Sequence, residues 1–164
     1  MTTLLRTLNL FKNRIIFLFI LSLFAACIDK NTVYNKSLVS YPKGWTHTDS
    51  LKWIASINDS ASFYEIGIGI RNDYNYKYQN IGLEFTIIDS SDSVLYKDTL
   101  DIRLTNDDGK WKEKGWGSLI NSSTLIKSKY SFPVSGDYLF VVRQAMKDHN
   151  IYGIESINLK ISKE

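Results

Sequence analysis

An all-β fold, an antiparallel β-sandwich, is what this sequence predicts, and three observations predict it. Beyond Thr32 the chain is rich in Tyr, Ile, Phe, Val and Thr, the residues that suit a pleated, half-buried surface. Gly and polar pairs interrupt it roughly every 8 to 12 residues, the rhythm of short strands joined by turns. Several runs between those interruptions alternate apolar and polar residues, which puts one strand face in a core and the other in water.

In chain order, Ile28 to Thr32 is small, polar and aperiodic and reads as a tether. Val33 to Ser40 and Leu51 to Ile57 are the weaker strands. Tyr64, Ile66, Ile68 and Ile70 alternate strictly and share one face, with Gly67 and Gly69 on the other. Glycines there signal a close backbone approach or a bulge. Ile81, Leu83, Phe85 and Ile87 alternate with Gly82, Glu84 and Thr86. Asp89-Ser90-Ser91-Asp92 is a turn, after which Val94 to Leu104 pairs back. Ser135-Gly136-Asp137 opens a strand whose face is Tyr138, Phe140, Val142 and Gln144. Ile157, Leu159 and Ile161 give the last strand. Gln144 to His149 is the one segment that reads as helical, though a strand end followed by a turn fits it as well, and it is too short for a stable isolated helix. No internal repeat is visible and the only prolines are Pro42 and Pro133. Two packed antiparallel sheets over 33–164, with side chains of both inner faces forming the core, are expected.

The N-terminus follows a different rule. Ile15 to Ala26 is the only long apolar run, preceded by Lys12 and Arg14 and closed by Ala25, Ala26 and Cys27. A basic segment, an apolar segment and a small-residue exit make a secretory signal peptide. The run is shorter than the roughly 20 residues that cross a bilayer as a helix. Leu23-Phe24-Ala25-Ala26-Cys27 resembles the lipobox of bacterial lipoproteins, with Phe24 where Leu is usual. The resemblance implies a removed signal peptide over 1–26, an acylated Cys27 and a lipid-anchored tether over 27–32. The competing reading is a buried free thiol.

Charge and cysteine content narrow the function. Of the 20 Lys and Arg residues three (Arg6, Lys12 and Arg14) precede Cys27, and the rest match the 17 Asp and Glu. The mature chain is therefore formally neutral, without the basic face a nucleic-acid partner needs. Lys110, Lys112 and Lys114 are flanked by Asp107, Asp108 and Glu113. Cys27 is the only cysteine, so no disulfide forms within the domain and the core alone holds it.

Catalytic and metal-binding constellations are sparse. His47 and His149, the only histidines, lie on polar segments far apart in sequence and read as exposed loop residues. Zinc takes three or four His, Cys or carboxylate ligands. Asn106-Asp107-Asp108-Gly109 lacks the ligand spacing of a calcium loop and reads as a tight hairpin turn. No metal, cofactor or catalytic residue is expected, and the chain reads as a non-enzyme. The aromatics are the stronger signal. Tyr74, Tyr76 and Tyr78 alternate in a polar segment, and Trp111 and Trp116 sit near Gly109, Gly115 and Gly117. Such residues plug the ends of a sandwich, stack on sugar rings or anchor a protein partner. Trp116, between glycines, is expected to be more exposed than Trp111.

Asp108-Gly109-Lys110-Trp111, Lys114-Gly115-Trp116-Gly117, Tyr130-Ser131-Phe132-Pro133, Ser135-Gly136, Gln144-Ala145-Met146 and Gly153-Ile154 together resemble the GldH family of gliding-motility lipoproteins from Bacteroidetes. Gly44-Trp45 and Arg71-Asn72-Asp73-Tyr74 are supporting matches. Glu113 stands where the family pattern has a glycine, and Asn75 where it has a proline. The resemblance implies a lipoprotein associated with the outer membrane and needed by the gliding apparatus, with no catalytic residues to carry over. Asp49-Ser50-Leu51, Asp59-Ser60-Ala61, Asp92-Ser93-Val94 and Asp98-Thr99-Leu100 are similar to a three-residue O-glycosylation motif of that phylum. Ser60 and Ser93 are the candidate sites.

The sequence thus predicts a lipid-anchored protein bound to the membrane through its N-terminal lipid, and the resemblance implies a structural or assembly subunit of an envelope machine bound to other gliding or secretion proteins. The single acidic residue in Ile28-Asp29-Lys30 favours the periplasmic side of the outer membrane. The rival reading is a carbohydrate-binding lipoprotein using Trp116 and the Tyr74, Tyr76, Tyr78 series as its platform for a glycan.

Overall fold

A computed structural model describes residues 31–39, 41, 43–113 and 118–164. The predicted signal peptide, Cys27, Gly115, Trp116 and Gly117 lie outside the described residues. Asn31–Glu164 forms one compact unit. Its strands are β1 (Thr32–Val39), β2 (Trp45–Thr46), β3 (Leu51–Ile57), β4 (Tyr64–Asp73), β5 (Asn80–Ile88), β6 (Val94–Arg103), β7 (Leu119–Tyr130), β8 (Gly136–Gln144), β9 (Asn150–Ile151) and β10 (Ile154–Lys163).

The pairing has a simple rule. β1 pairs with β10, β2 with β9, β3 with β8, β4 with β7 and β5 with β6, all antiparallel. The described chain is thus one long hairpin whose tip is the β5–β6 turn. Rolling it up adds two further ladders, β10 with β4 and β5 with β8. Two four-stranded sheets result, in the orders β1-β10-β4-β7 and β3-β8-β5-β6. This is the double-sheet jelly roll, the topology behind the expected antiparallel sandwich.

The inward faces of β4, β5, β8 and β10 are the predicted ones, and β3 adds a face of its own. Leu51, Trp53, Ala55 and Ile57 of β3, Tyr64, Ile66, Ile68 and Ile70 of β4, and Ile81, Leu83, Phe85 and Ile87 of β5 are all buried. Tyr138, Phe140, Val142 and Gln144 of β8 and Ile157, Leu159 and Ile161 of β10 complete the interior. The Trp53 indole donates to the Lys36 carbonyl at 3.0 Å, tying β3 of one sheet to β1 of the other. At the Thr32 end, Phe132 is buried against Tyr64, Tyr130 and Tyr138, with ring centroids 5.3, 4.8 and 4.6 Å away. The Tyr130 to Pro133 segment therefore plugs this end of the core.

Two features differ from expectation. β7 is a twelve-residue strand without a clean sequence signal, because Ser122 and Thr124 stand in register with inward Ile70 and Ile68. β2 and β9 form a separate two-residue ladder. Of the two readings of Gln144 to His149, the strand end followed by a turn holds and the helix does not. Gln144 ends β8, and 145–149 is an irregular loop.

Candidate functional site

Segments distant in sequence converge at the end of the sandwich opposite Thr32, where β1 ends, β4 ends and β10 begins. The turn after β4 is fixed by Asp73. Its Oδ1 accepts from the Asn75 amide at 2.8 Å, its carbonyl from the Tyr76 amide at 3.3 Å, and its own amide donates to the Gly153 carbonyl at 2.9 Å. Gly153 has φ +87°, and a Cβ there would meet Asp73 Oδ1 at 2.8 Å and Tyr76 backbone at 2.9 Å. Any side chain at this position would wedge the β10 entry away from the turn, so glycine is required.

The three alternating tyrosines do not form one platform. They occupy a turn, where period two no longer selects a face. Tyr74 is 54% exposed, whereas Tyr76 is 3% exposed and belongs to the core. The Tyr76 hydroxyl donates to the Asn80 carbonyl at 3.0 Å, and burial pushes its pKa well above the ordinary value. Tyr78 is half-buried, edge-on to Tyr76 with centroids 5.4 Å apart. Its hydroxyl donates to Asp148 Oδ2. That hydrogen bond holds the Asp148 carboxyl below its usual range and raises the Tyr78 phenol. The expected three-tyrosine surface is thus corrected to a single exposed ring, Tyr74, over a packed pair.

Gln144 organises the neighbouring loop. It is buried, and its Nε2 donates to the carbonyls of His149 at 3.1 Å and Asp148 at 3.2 Å. Its Oε1 accepts from the Met146 amide at 2.8 Å. Ala145 N donates to Gly82 O at 2.8 Å, pinning the same loop to β5. His47 then docks on it. The His47 amide donates to His149 O at 3.1 Å, and its Nε2 lies 2.8 Å from Met146 O. The two histidines are exposed, as expected, but their rings also meet edge-on at 5.4 Å, a proximity that sequence separation hid. Among the described residues no group of three or more His, Cys, Asp or Glu side chains could hold a metal ion.

The 104–113 segment folds beside this cluster. Leu104 and Thr105 amides both reach Gln79 O, at 2.8 and 3.2 Å. Asn106 to Gly109 is the predicted tight turn, with Gly109 N to Asn106 O at 3.1 Å and Asn106 N to Lys110 O at 2.7 Å. Trp111 bridges to Thr105 and is half-buried against the core. The O-glycosylation candidates diverge. The Asp59 carboxylate beside half-buried Ser60 is engaged by the Ala61 amide, Ser62 and Lys163. Ser93 is exposed, after Asp92 at φ 61°.

Comparison with known proteins adds a family. The family model described as GldH lipoprotein matches residues 32–161. A protein of Christiangramia forsetii described as "Gliding motility lipoprotein GldH homolog" is 34% identical over 144 residues, covering 87% of this chain and 86% of that protein. The "Gliding motility lipoprotein GldH" of Flavobacterium johnsoniae is 25% identical over 147 residues, covering 89% of each. Among solved structures, a family GH115 4-O-methyl-α-glucuronidase overlaps with TM-score 0.47 at 8% identity, over 84% of this chain and 18% of that enzyme, a likeness too remote to bear on function.

Proposed function

Because the chain belongs to the GldH lipoprotein family, we propose that it is a lipid-anchored, non-enzymatic subunit of the gliding-motility apparatus, acting in structure or assembly. The observation that carries this reading is the loop cluster. Asp108 to Trp111, Arg71 to Tyr74, Gln144 to Met146, Gly153-Ile154 and Gly44-Trp45 all gather at one end of the roll, around Gln144 and the Asp73 turn. These residues hydrogen-bond mainly to backbone. That is the pattern of a shaped surface rather than of a reaction centre, which needs a nucleophile or base within reach of its partner.

The anchor is Cys27, acylated after removal of residues 1–26. One acyl chain binds a bilayer only marginally, so the mature protein carries two or three. Cys27 precedes β1, which starts at the end of the sandwich opposite the cluster. The lipid on Cys27 tethers the chain ahead of β1 in sequence, and Tyr74, exposed in the cluster, and Trp116 are the proposed anchors for another gliding or secretion protein. The domain faces the periplasm from the outer membrane, and Ser93 is the favoured O-glycosylation site.

Two experiments test this. Alkyne fatty-acid labelling should mark the wild-type chain and not Cys27→Ser, and label retained by the serine variant defeats the anchor. Affinity purification from membranes should recover motility or secretion proteins with the wild type and lose them with Trp116→Ala or Tyr74→Ala. Cells lacking the chain that still spread normally would overturn the motility role.

A further inference from the structure

A groove lies on the outward face of the β1-β10-β4-β7 sheet. The ladder registers arrange that face in three cross-strand rows. The middle row is Ser37, Asn158, Gly69 and Ser123. Val39, Ser156, Arg71 and Asn121 form the row nearer the loop cluster, and Asn35, Lys160, Gly67 and Leu125 the row nearer Thr32. With no side chains at Gly67 and Gly69, the central strand is a trough. A concavity of about 550 Å³ covers the first two rows, and one of about 230 Å³ continues it over Gly67, sharing Gly69, Ser123 and Asn158. A third, of about 320 Å³, is joined through Val39 and walled by Tyr41 and Tyr152. The largest falls within the roughly 300–1,000 Å³ of small-ligand sites.

We propose that this groove binds a glycan chain. Its polar groups are mainly amides and hydroxyls, and several are held in place by one another. Asn158 Nδ2 donates to Asn35 Oδ1 at 2.9 Å and to Ser37 Oγ at 3.2 Å. Arg71 Nε donates to Asn121 Oδ1 at 2.8 Å, which leaves its terminal nitrogens without a protein partner among the described residues. The charged groups along the three concavities are of both signs: Arg71 and Lys160 against Glu65, Glu113 and Glu155. That balance disfavours a polyanion, which a one-signed basic surface would recognise. An extended peptide is disfavoured too, because strand addition needs a free sheet edge, and here the backbone groups of β10 and β4 are paired on both sides.

The aromatic wall completes the chemistry. Tyr41 is 37% and Tyr152 56% exposed. The Tyr41 hydroxyl donates to Ser50 O at 3.1 Å, and the Tyr152 hydroxyl accepts from Asn150 Nδ2 at 2.8 Å. Both rings are thereby fixed before any ligand arrives, which reduces the ordering cost of binding. Sugars present apolar ring faces and hydroxyl-bearing edges. Rigid aromatic faces beside a floor of neutral donors and acceptors match both.

The test uses the full chain in a detergent without a sugar headgroup, by affinity electrophoresis through gels holding a glycan. The probes are soluble β-glucan, xylan and mannan, and the protease-treated polysaccharide fraction of the cell's own envelope. At least one should retard the wild-type protein. Gly67→Val has ordinary contact distance to its nearest neighbour, Thr124 O at 3.4 Å, so it fills the trough without breaking the fold. It should weaken retardation about tenfold, as should Asn158→Ala and Tyr152→Ala, the loss of one good contact being worth about that factor. Lys52→Ala on the other sheet should not, and all four variants should melt with the wild type. Absence of retardation on every probe overturns the proposal, as does retardation that survives Gly67→Val and Asn158→Ala. Loss of a co-purified protein in Gly67→Val, with glycan binding absent, would make the face a protein interface and overturn it equally.

Discussion

Replacing Gln144 by Met keeps the length and apolar stem of the side chain and removes its amide. Three hydrogen bonds of good length are lost: to His149 O at 3.1 Å, to Asp148 O at 3.2 Å and from Met146 N at 2.8 Å. The contact to Trp45 O, at 3.4 Å, is outside the usual range and adds little. At about 1 kcal/mol net for each bond, and more where a buried group is left without a partner, the loss comes to about 3 kcal/mol. The loop carbonyls reach water more easily than a core group would, so the range is about 2–4 kcal/mol. The effect should be local before it is global. Amide hydrogen exchange at Met146, bonded to Gln144, and at His47, bonded to His149 O, should accelerate strongly. Exchange at Ala145, bonded to Gly82 O, should change less. Urea denaturation gives the global figure. A loss below about 1 kcal/mol, or unchanged protection at Met146 and His47, would refute the claim that this amide shapes the loop.

Phe85→Ala should lower stability by about 3–5 kcal/mol in chemical denaturation, since the ring is fully buried, whereas Glu84→Ala should cost little, its ion pairs to Lys97 at 2.9 Å and Arg143 at 3.7 Å being solvent-facing. Trp111→Ala should cost less than a buried-Trp truncation, about 2 kcal/mol by thermal melting, because the ring is only half-buried. Asp59 is held at about 2, below its ordinary 3.8, first by the Lys163 hydrogen bond and then by Ser62 and the Ala61 amide. A carboxyl whose folded pKa is depressed adds stability that is complete above the unfolded value and fades as pH falls through the folded one. Melting temperature should therefore drop between about pH 4 and pH 2, and Asp59→Asn should flatten that limb.

What the sequence revealed and concealed follows from which signals are local. The inward faces of β4, β5 and β8 were legible because strict alternation is a property of neighbouring residues. β7 was not, since Ser122 and Thr124 take inward positions that an apolar residue would have marked. The 145–149 loop looked helical because it lacks strand formers, yet its shape comes from one glutamine side chain reaching across it. Alternation of Tyr74, Tyr76 and Tyr78 suggested a shared face, but on a turn the rings scatter between solvent and core. The groove had no sequence signature, because its residues come from four strands that only the ladders bring side by side. The family motifs pointed to the loop cluster more directly, since the described segments carrying them meet there, apart from Tyr130 to Gly136, whose Phe132 packs the other end.

The nested pairing sets an order of events during folding. β1 has one ladder partner, the last strand, so Thr32–Val39 stays unpaired until Ile154–Lys163 has been delivered. The bonds from Lys163 N to Asn31 O and from Glu164 N to Phe63 O, at 2.8 and 3.0 Å, act as the latch. Ladders between strands so far apart in sequence form slowly. The β5–β6 hairpin can close early, while Thr32–Val39 remains without its ladder partner. A chain truncated before Ile154 would lose the strand between β1 and β4, leaving bare sheet edges of the kind that aggregate. Premature termination in this protein would then yield unclosed domains with exposed strand edges rather than smaller folded units.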